Sequence, residues 1–164
     1  MRNRKNETLG ILAIDPGTEQ SGVVEYRDGR IERAEIVQNR KLIEALNFAP
    51  ELRDCRLVIE RIASYGMAVG RTTFDTVMWV GRFIEAWHDD DKCILIERRD
   101  VKLHLCGQTR AKDSNIRQAV IDKLGPPGKK ADPGPTYGVK SHCWQALALA
   151  ITAAETTAGE APPA

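Results

Sequence analysis

The chain has 164 residues, 42% of them hydrophobic, and 24 basic side chains against 23 acidic ones leave a net charge of +1. That is room for one domain with a real core and too little for two catalytic domains; recurrent Leu, Ile, Val and Ala segments exclude disorder as the main state. No apolar run reaches the roughly 18–20 residues of a membrane-spanning helix, and the neutral balance argues against a generic nucleic-acid coat, although an acidic active site can cancel a basic binding face.

The charged start Met1-Arg2-Asn3-Arg4-Lys5-Asn6-Glu7 lacks the apolar stretch of a secretory signal, so a cytoplasmic protein is expected. Residues 9–14 are apolar on consecutive positions apart from Gly10, the pattern of a central strand buried on both faces. That strand ends in the turn signal Asp15-Pro16-Gly17-Thr18. Strands over 21–26 and 31–37 follow, with Asp28-Gly29 between them as the favoured pair for a tight hairpin. Residues 40–48 predict a short helix with Leu42, Ile43 and Leu46 on one face and Pro50 as its stop.

A second buried strand over 56–60 again terminates in a carboxylate. The glycine-bearing stretch 63–70 reads as a mobile loop, and 73–88 as a helix carrying Phe74, Val77, Met78 and Ile84 at helical spacing. Residues 93–96 predict a further parallel-type strand, and 99–105 and 113–124 two helices, the second with Ile116, Val120 and Leu124 on one side. Four prolines and four glycines make 125–138 a loop or hinge. Ser141 is the expected cap of a last helix over 142–155, whose Trp144, Leu147, Ala148 and Ile151 form the docking face. Residues 1–8 and 156–164 read as flexible ends around one folded unit, 9–155. The order predicts an α/β fold: a mixed five-stranded sheet, three antiparallel strands then parallel ones, with helices on both faces.

Cys55, Cys93, Cys106 and Cys143 form no Cys-x-x-Cys pair, so buried reduced thiols are expected rather than a zinc cage. The chemistry concentrates elsewhere. Two hydrophobic strands end in acids, Asp15 and Glu60, and a carboxylate at the end of a buried strand is costly unless hydrated, paired or bound to a cation. If the strands are neighbours, the two charges repel and a divalent cation relieves the repulsion; alternatively each acid marks where its strand reaches solvent. His142 and Gln145, three apart, share a face of the last helix's first turn, and both side chains can ligate a metal. A lone histidine at a helix start is more often a hydrogen-bonded surface residue.

Three segments together carry a resemblance. Leu12-Ala13-Ile14-Asp15-Pro16-Gly17-Thr18, Val58-Ile59-Glu60 and Ser141-His142-Cys143-Trp144-Gln145-Ala146-Leu147-Ala148-Leu149-Ala150 resemble the RuvC-type Holliday junction resolvases, their phage and prophage branch most of all. The similarity runs from about residue 9 to 151, with the motifs in the family's order. It implies an RNase H-like fold, a homodimer, and two Mg²⁺ ions, with Mn²⁺ able to substitute, cutting phosphodiester bonds in branched double-stranded DNA to leave 5′ phosphates.

By the resemblance Asp15 bridges both ions, Glu60 is the family's fourth-strand glutamate, and His142 falls where members carry an acid or a histidine. His142 is then either a ligand or a general acid/base. Gln145 departs from the usual aspartate, which weakens one metal site and leaves room for another acid, Asp132 or Glu97, to substitute. Arg110, Lys112, Arg117, Lys129, Lys130 and Lys140 are candidate phosphate contacts, Lys112 and Lys140 foremost; a family lysine near Lys112 aligns with Asp113 here. Tyr65 stands where members insert an aromatic at the junction, or is an ordinary loop tyrosine. Met78, Trp79 and Phe83 read as partly a dimer contact, or as core. The rival functions are a non-catalytic branched-DNA binder of the same fold and a kinase-like phosphate-binding domain, for which the chain is too short.

Overall fold

The protein is described here by a computed structural model covering residues 9–157. The expected flexible start 1–8 and, of the expected tail, 158–164 lie outside the described residues. Strand β1 (Gly10–Asp15) is buried along its whole length, as its unbroken apolar run requires. It pairs antiparallel with β2 (Gln20–Arg27), which pairs antiparallel with β3 (Arg30–Gln38). Positive φ at Asp28 and Gly29, 51° and 76°, closes that hairpin. On its other edge β1 pairs parallel with β4 (Cys55–Arg61), and β4 with β5 (Cys93–Glu97). The resulting order, β3-β2-β1-β4-β5, is the mixed sheet the sequence predicts.

Helices α1 (Asn39–Phe48) and α2 (Arg71–Ala86) cover one face of the sheet. Helices α3 (Arg98–Cys106), α4 (Asp113–Leu124) and α5 (Cys143–Thr157) stand on the other. Successive strand side chains alternate between these faces. Leu12, Ile14, Leu57 and Ile59 join Leu42, Leu46, Val80 and Phe83 in the first core. Ile11, Ala13 and Val58 join Val101, Ile116, Val120 and the α5 side chains in the second. Each fully buried aliphatic contributes roughly 1.5–3 kcal/mol.

Four expectations are corrected. Helix α5 does not dock by one face: 146–153 are all buried, because α5 is sandwiched between the sheet and α3 and α4, and its alanines permit the close approach. The helix begins at Cys143 and runs to Thr157, and Ser141 does not cap it. With φ of 48°, Ser141 lies in the left-handed region outside the helix, not in the extended conformation a capping residue adopts. The loop 125–138 contains a small antiparallel ribbon, β6 (Gly128–Lys129) with β7 (Asp132–Pro133). Of the thiols, Cys55 and Cys143 are buried as expected, while Cys93 and Cys106 are only half-buried.

Candidate active site

The register places the acids. Ile14 is paired with Ile59 in the parallel β1–β4 ladder, so Asp15 and Glu60 follow as neighbours at the strand ends. Both have the parity of Ala13 and Val58, so they project to the α5 side of the sheet. Asp15 is also the Cα partner of Gly22 on β2, and there α5 begins. The backbone of His142 passes so close to Gly22 that a Cβ at that position would stand 2.5 Å from the His142 carbonyl carbon. Only glycine admits this approach, and it brings His142 Nδ1 to 2.8 Å from Asp15 Oδ2.

The turn after Asp15 is fixed from below. The Gly17 N–H donates to Ser21 Oγ at 3.3 Å, the Ser21 hydroxyl to Asn39 Oδ1 at 2.7 Å, and the Asn39 amide to the Gly17 carbonyl at 2.9 Å. Ser21 and Asn39 are fully buried and mutually satisfied, the condition for burying polar groups without loss.

Electrostatically the centre is frustrated. Burial pushes the Asp15 carboxyl above its usual range, partly offset by its hydrogen bonds with His142 and Glu60. Burial first, then the charge of Asp15, push Glu60 up to about 7. Near neutral pH the pair therefore holds a proton where two carboxylates would otherwise repel. Among the described residues no three His, Cys, Asp or Glu side chains are grouped closely enough to hold a metal ion. Asp15 and Glu60 nevertheless suit a divalent cation, being two hard oxygen donors side by side whose repulsion it would relieve. His142 is already engaged with Asp15.

These residues open into a cavity of about 660 Å³. Asp15, Glu60, His142 and Gln145 all line it, so the structure brings together all four residues expected at the centre. The opposite walls come from the first two turns of α2 (Thr72, Thr73, Thr76) and α4 (Asp113, Ser114, Arg117) and from Arg98, the first residue of α3. Helix starts carry partial positive charge, so an acid-floored cleft has anion-binding walls.

Other expected residues stand apart. Arg110, Lys112, Lys140 and Tyr65 do not line the cavity; Lys112 and Lys140 immediately precede Asp113 and Ser141, which do. Tyr65, half-exposed with φ of 49°, accepts a hydrogen bond from the Arg99 backbone N–H and lies under the Arg99 guanidinium at 5.8 Å. Neither acid suggested as a substitute for Gln145 reaches the cavity. Asp132 sits in the β7 ribbon, and Glu97 has the parity of Cys93 and Leu95, which face the α1–α2 side.

The carboxylate present instead is Asp113, and it comes with a residue that sequence reasoning missed, Arg98. Arg98 Nη2 lies 2.8 Å from Asp113 Oδ1 and Nη1 3.5 Å from Glu60 Oε2. The available signal was Arg98's place directly after a parallel strand, beside Glu97 whose parity excludes it. Arg117, a candidate phosphate contact, packs over Trp144 at 4.6 Å on the same cavity wall.

No family model matches the chain, and no curated protein matches it either. Solved structures do. RuvC of Thermus thermophilus matches with a TM-score of 0.63 at 20% identity over 88% of this chain and 93% of that one. RuvC of the same organism in complex with a Holliday junction substrate matches with the same score and identity over 89% and 93%. The chain has the RuvC fold, an RNase H-like sheet with helices on both faces, as the sequence motifs imply.

Proposed function

We propose that this chain, built on the RuvC fold, is a divalent-metal-dependent, structure-selective endodeoxyribonuclease of branched DNA. Its substrates would be four-way (Holliday) and related junctions, nicked by phosphodiester hydrolysis to leave 5′-phosphate ends. The observation that carries this reading is the convergence of Asp15, Glu60 and His142 at one end of an open cleft whose other walls are helix starts.

Asp15 and Glu60 would hold the Mg²⁺ or Mn²⁺, two ions per site with Gln145 giving a neutral oxygen to the second. When bound, such ions activate a water for attack on phosphorus and stabilise the leaving oxygen. The chain's own part is orientation and proton handling. With Asp15 ionised, the His142 Nδ1–H donates to it, fixing the tautomer and leaving Nε2 as the basic nitrogen. Glu60 must lose its shared proton for the site to carry full negative charge, so activity is expected to rise through about pH 7.

Tyr65, Arg110, Lys112 and Lys140 are assigned to the DNA-binding rim, outside the cleft. A homodimer would place two sites on symmetry-related strands. It is supported by the apolar side chains α2 leaves exposed, Phe74 (64%), Val77 (47%) and Met78 (55%), whereas Trp79 and Phe83 are core. The described residues contain no helix long and apolar enough to cross a membrane, and a cytoplasmic site of action is part of the proposal. The purified chain with Mg²⁺ or Mn²⁺ should nick a synthetic four-way junction, and Asp15→Asn should not; an inactive wild type under both metals refutes the reading.

One observation favours a second reading, a junction-binding protein that cuts weakly or not at all: Gln145 brings no charge to the cleft, where among the described residues no three-ligand group stands ready. Gel-shift binding without nicking would favour it, and Gln145→Asp would then be expected to restore cleavage.

A further inference from the structure

We propose that Arg98 is the phosphate-gripping residue of the cleft, stored on Glu60 and anchored by Asp113 until DNA arrives. The inference rests on the nuclease reading and adds a residue that neither the motifs nor the fold comparison assigns. Arg98 opens α3 immediately after β5, and its side chain, 31% exposed, lines the cavity shared by Asp15, Glu60 and His142. The guanidinium spans two carboxylates on different elements, Glu60 on β4 and Asp113 at the start of α4.

The two contacts differ in quality. The bond to Asp113 at 2.8 Å is a strong charge-assisted hydrogen bond, while the approach to Glu60 at 3.5 Å is a loose ion pair. Burial works against the charge of Arg98, but the hydrogen bond to Asp113 and the charges of Glu60, Asp113 and Asp15 outweigh it, so the cation is permanent. Arg98 therefore offsets part of the acid pair's charge in the metal-free protein, where a divalent cation would compete with it for Glu60. Once Glu60 is taken, Asp113 still holds one arm of the fork, and its other N–H groups are uncommitted among the described residues.

A planar fork so held matches the oxygens of a phosphodiester, which arginine grips with two N–H groups. The surroundings suit the same ligand: Thr72, Thr73, Ser114 and Arg117 line the cavity, and helix starts face it. A purely structural clamp between α3 and α4 would need Asp113 alone and no place on the cleft wall.

The test uses the full chain, as wild type, Arg98→Gln and Arg98→Lys, with two readouts. The first is Mn²⁺ binding by calorimetry without DNA. Removing a cation next to Glu60 should tighten binding by about tenfold in Arg98→Gln, and Arg98→Lys, which keeps the charge, should match wild type. The second is single-turnover nicking of a four-way junction at saturating Mn²⁺. Arg98→Gln should lose about a hundredfold and Arg98→Lys about tenfold, the lysine being unable to make the fork. Unchanged or weaker Mn²⁺ binding in Arg98→Gln, or full nicking by Arg98→Lys, overturns the proposal. Should Arg98→Gln fail to fold, Arg98→Lys decides alone, since a structural clamp predicts complete rescue. A wild type that neither binds Mn²⁺ nor nicks would instead refute the nuclease reading itself, whereas an active wild type with an equally active Arg98→Gln removes only Arg98.

Discussion

Two clusters in this protein hold the same kinds of side chain and behave in opposite ways. At the cleft, Asp15 and Glu60 meet His142 and Arg98. At the far end of α5, Glu155 meets His104 of α3, at 2.5 Å, and Lys123 of α4, at 2.9 Å. Burial pushes both cleft carboxyls up despite their partners. At Glu155 desolvation is again the largest single influence, but the hydrogen bonds and charges of Lys123 and His104 together outweigh it and pull the carboxyl below its usual range. The difference lies in exposure: the Glu155 side chain is 40% exposed, those of Asp15 and Glu60 8% and 13%. Residue type does not make a reactive centre; two acids buried together with too little positive charge do.

The largest expected effect separates the clusters by activity. Asp15→Asn should lower junction nicking by more than about a thousandfold, roughly 4 kcal/mol of barrier, because the ligand shared with His142 is lost. Glu155→Gln, measured in the same single-turnover assay, should stay within about twofold. Comparable losses in both would mean that the cleft is no more special than the surface cluster.

The pH dependence of stability sharpens the contrast next. Glu60 in the folded chain holds its proton up to about 7, against an ordinary value of 4.5. Its folded value is raised, so its contribution is complete below about pH 4.5 and drains away as pH rises through about 7. The loss is at most about 3 kcal/mol. Metal-free protein should therefore melt at lower temperature at pH 8 than at pH 5, and Mn²⁺ should stabilise it more at the higher pH. Glu155, with its value lowered, runs the other way, losing its contribution as pH falls. A flat metal-free melting curve between pH 5 and 8 would show that the acid pair is not strained.

A third test strikes the geometry. Gly22→Ala places a methyl group 2.5 Å from the His142 carbonyl carbon and 2.6 Å from its oxygen, so α5 must shift. Overpacking of this kind costs about 1–3 kcal/mol of stability, and displacing His142 by an ångström should cut nicking by about a hundredfold. Urea denaturation and the nicking assay measure the two separately. Full activity in a stable Gly22→Ala protein would release His142 from any role.

How much of this was legible follows from the same physics. The sheet could be read because residues 11–14 of β1 and 57–59 of β4 are unbroken apolar runs, and the acids could be read because each follows its run at once. Gly22, Arg98, Asp113 and the threonines of α2 could not. Their roles depend on register, strand parity and the convergence of helix starts, none of which leaves a local pattern. A charge at a helix start, such as Arg98, looks in sequence like a solvated residue. Glu97, one position earlier, is an acid the sequence offers in place of Gln145, and it is excluded by which way its strand position faces.

The smallest effect belongs to the surface cluster and tests whether it is as ordinary as its exposure says. Glu155 joins three helices, which invites the idea of a structural keystone. Exposed pairs, however, are screened by solvent and salt, and each typically contributes less than about 1 kcal/mol. Glu155→Gln should therefore lower the melting temperature by only about 2–4 °C at low salt, and the difference should shrink toward zero in about 1 M salt. A loss that persisted at high salt would mean that packing, not charge, is what Glu155 provides. The contrast with the cleft would then rest on Asp15 and Glu60 alone, because the two clusters would no longer differ merely by degree of burial.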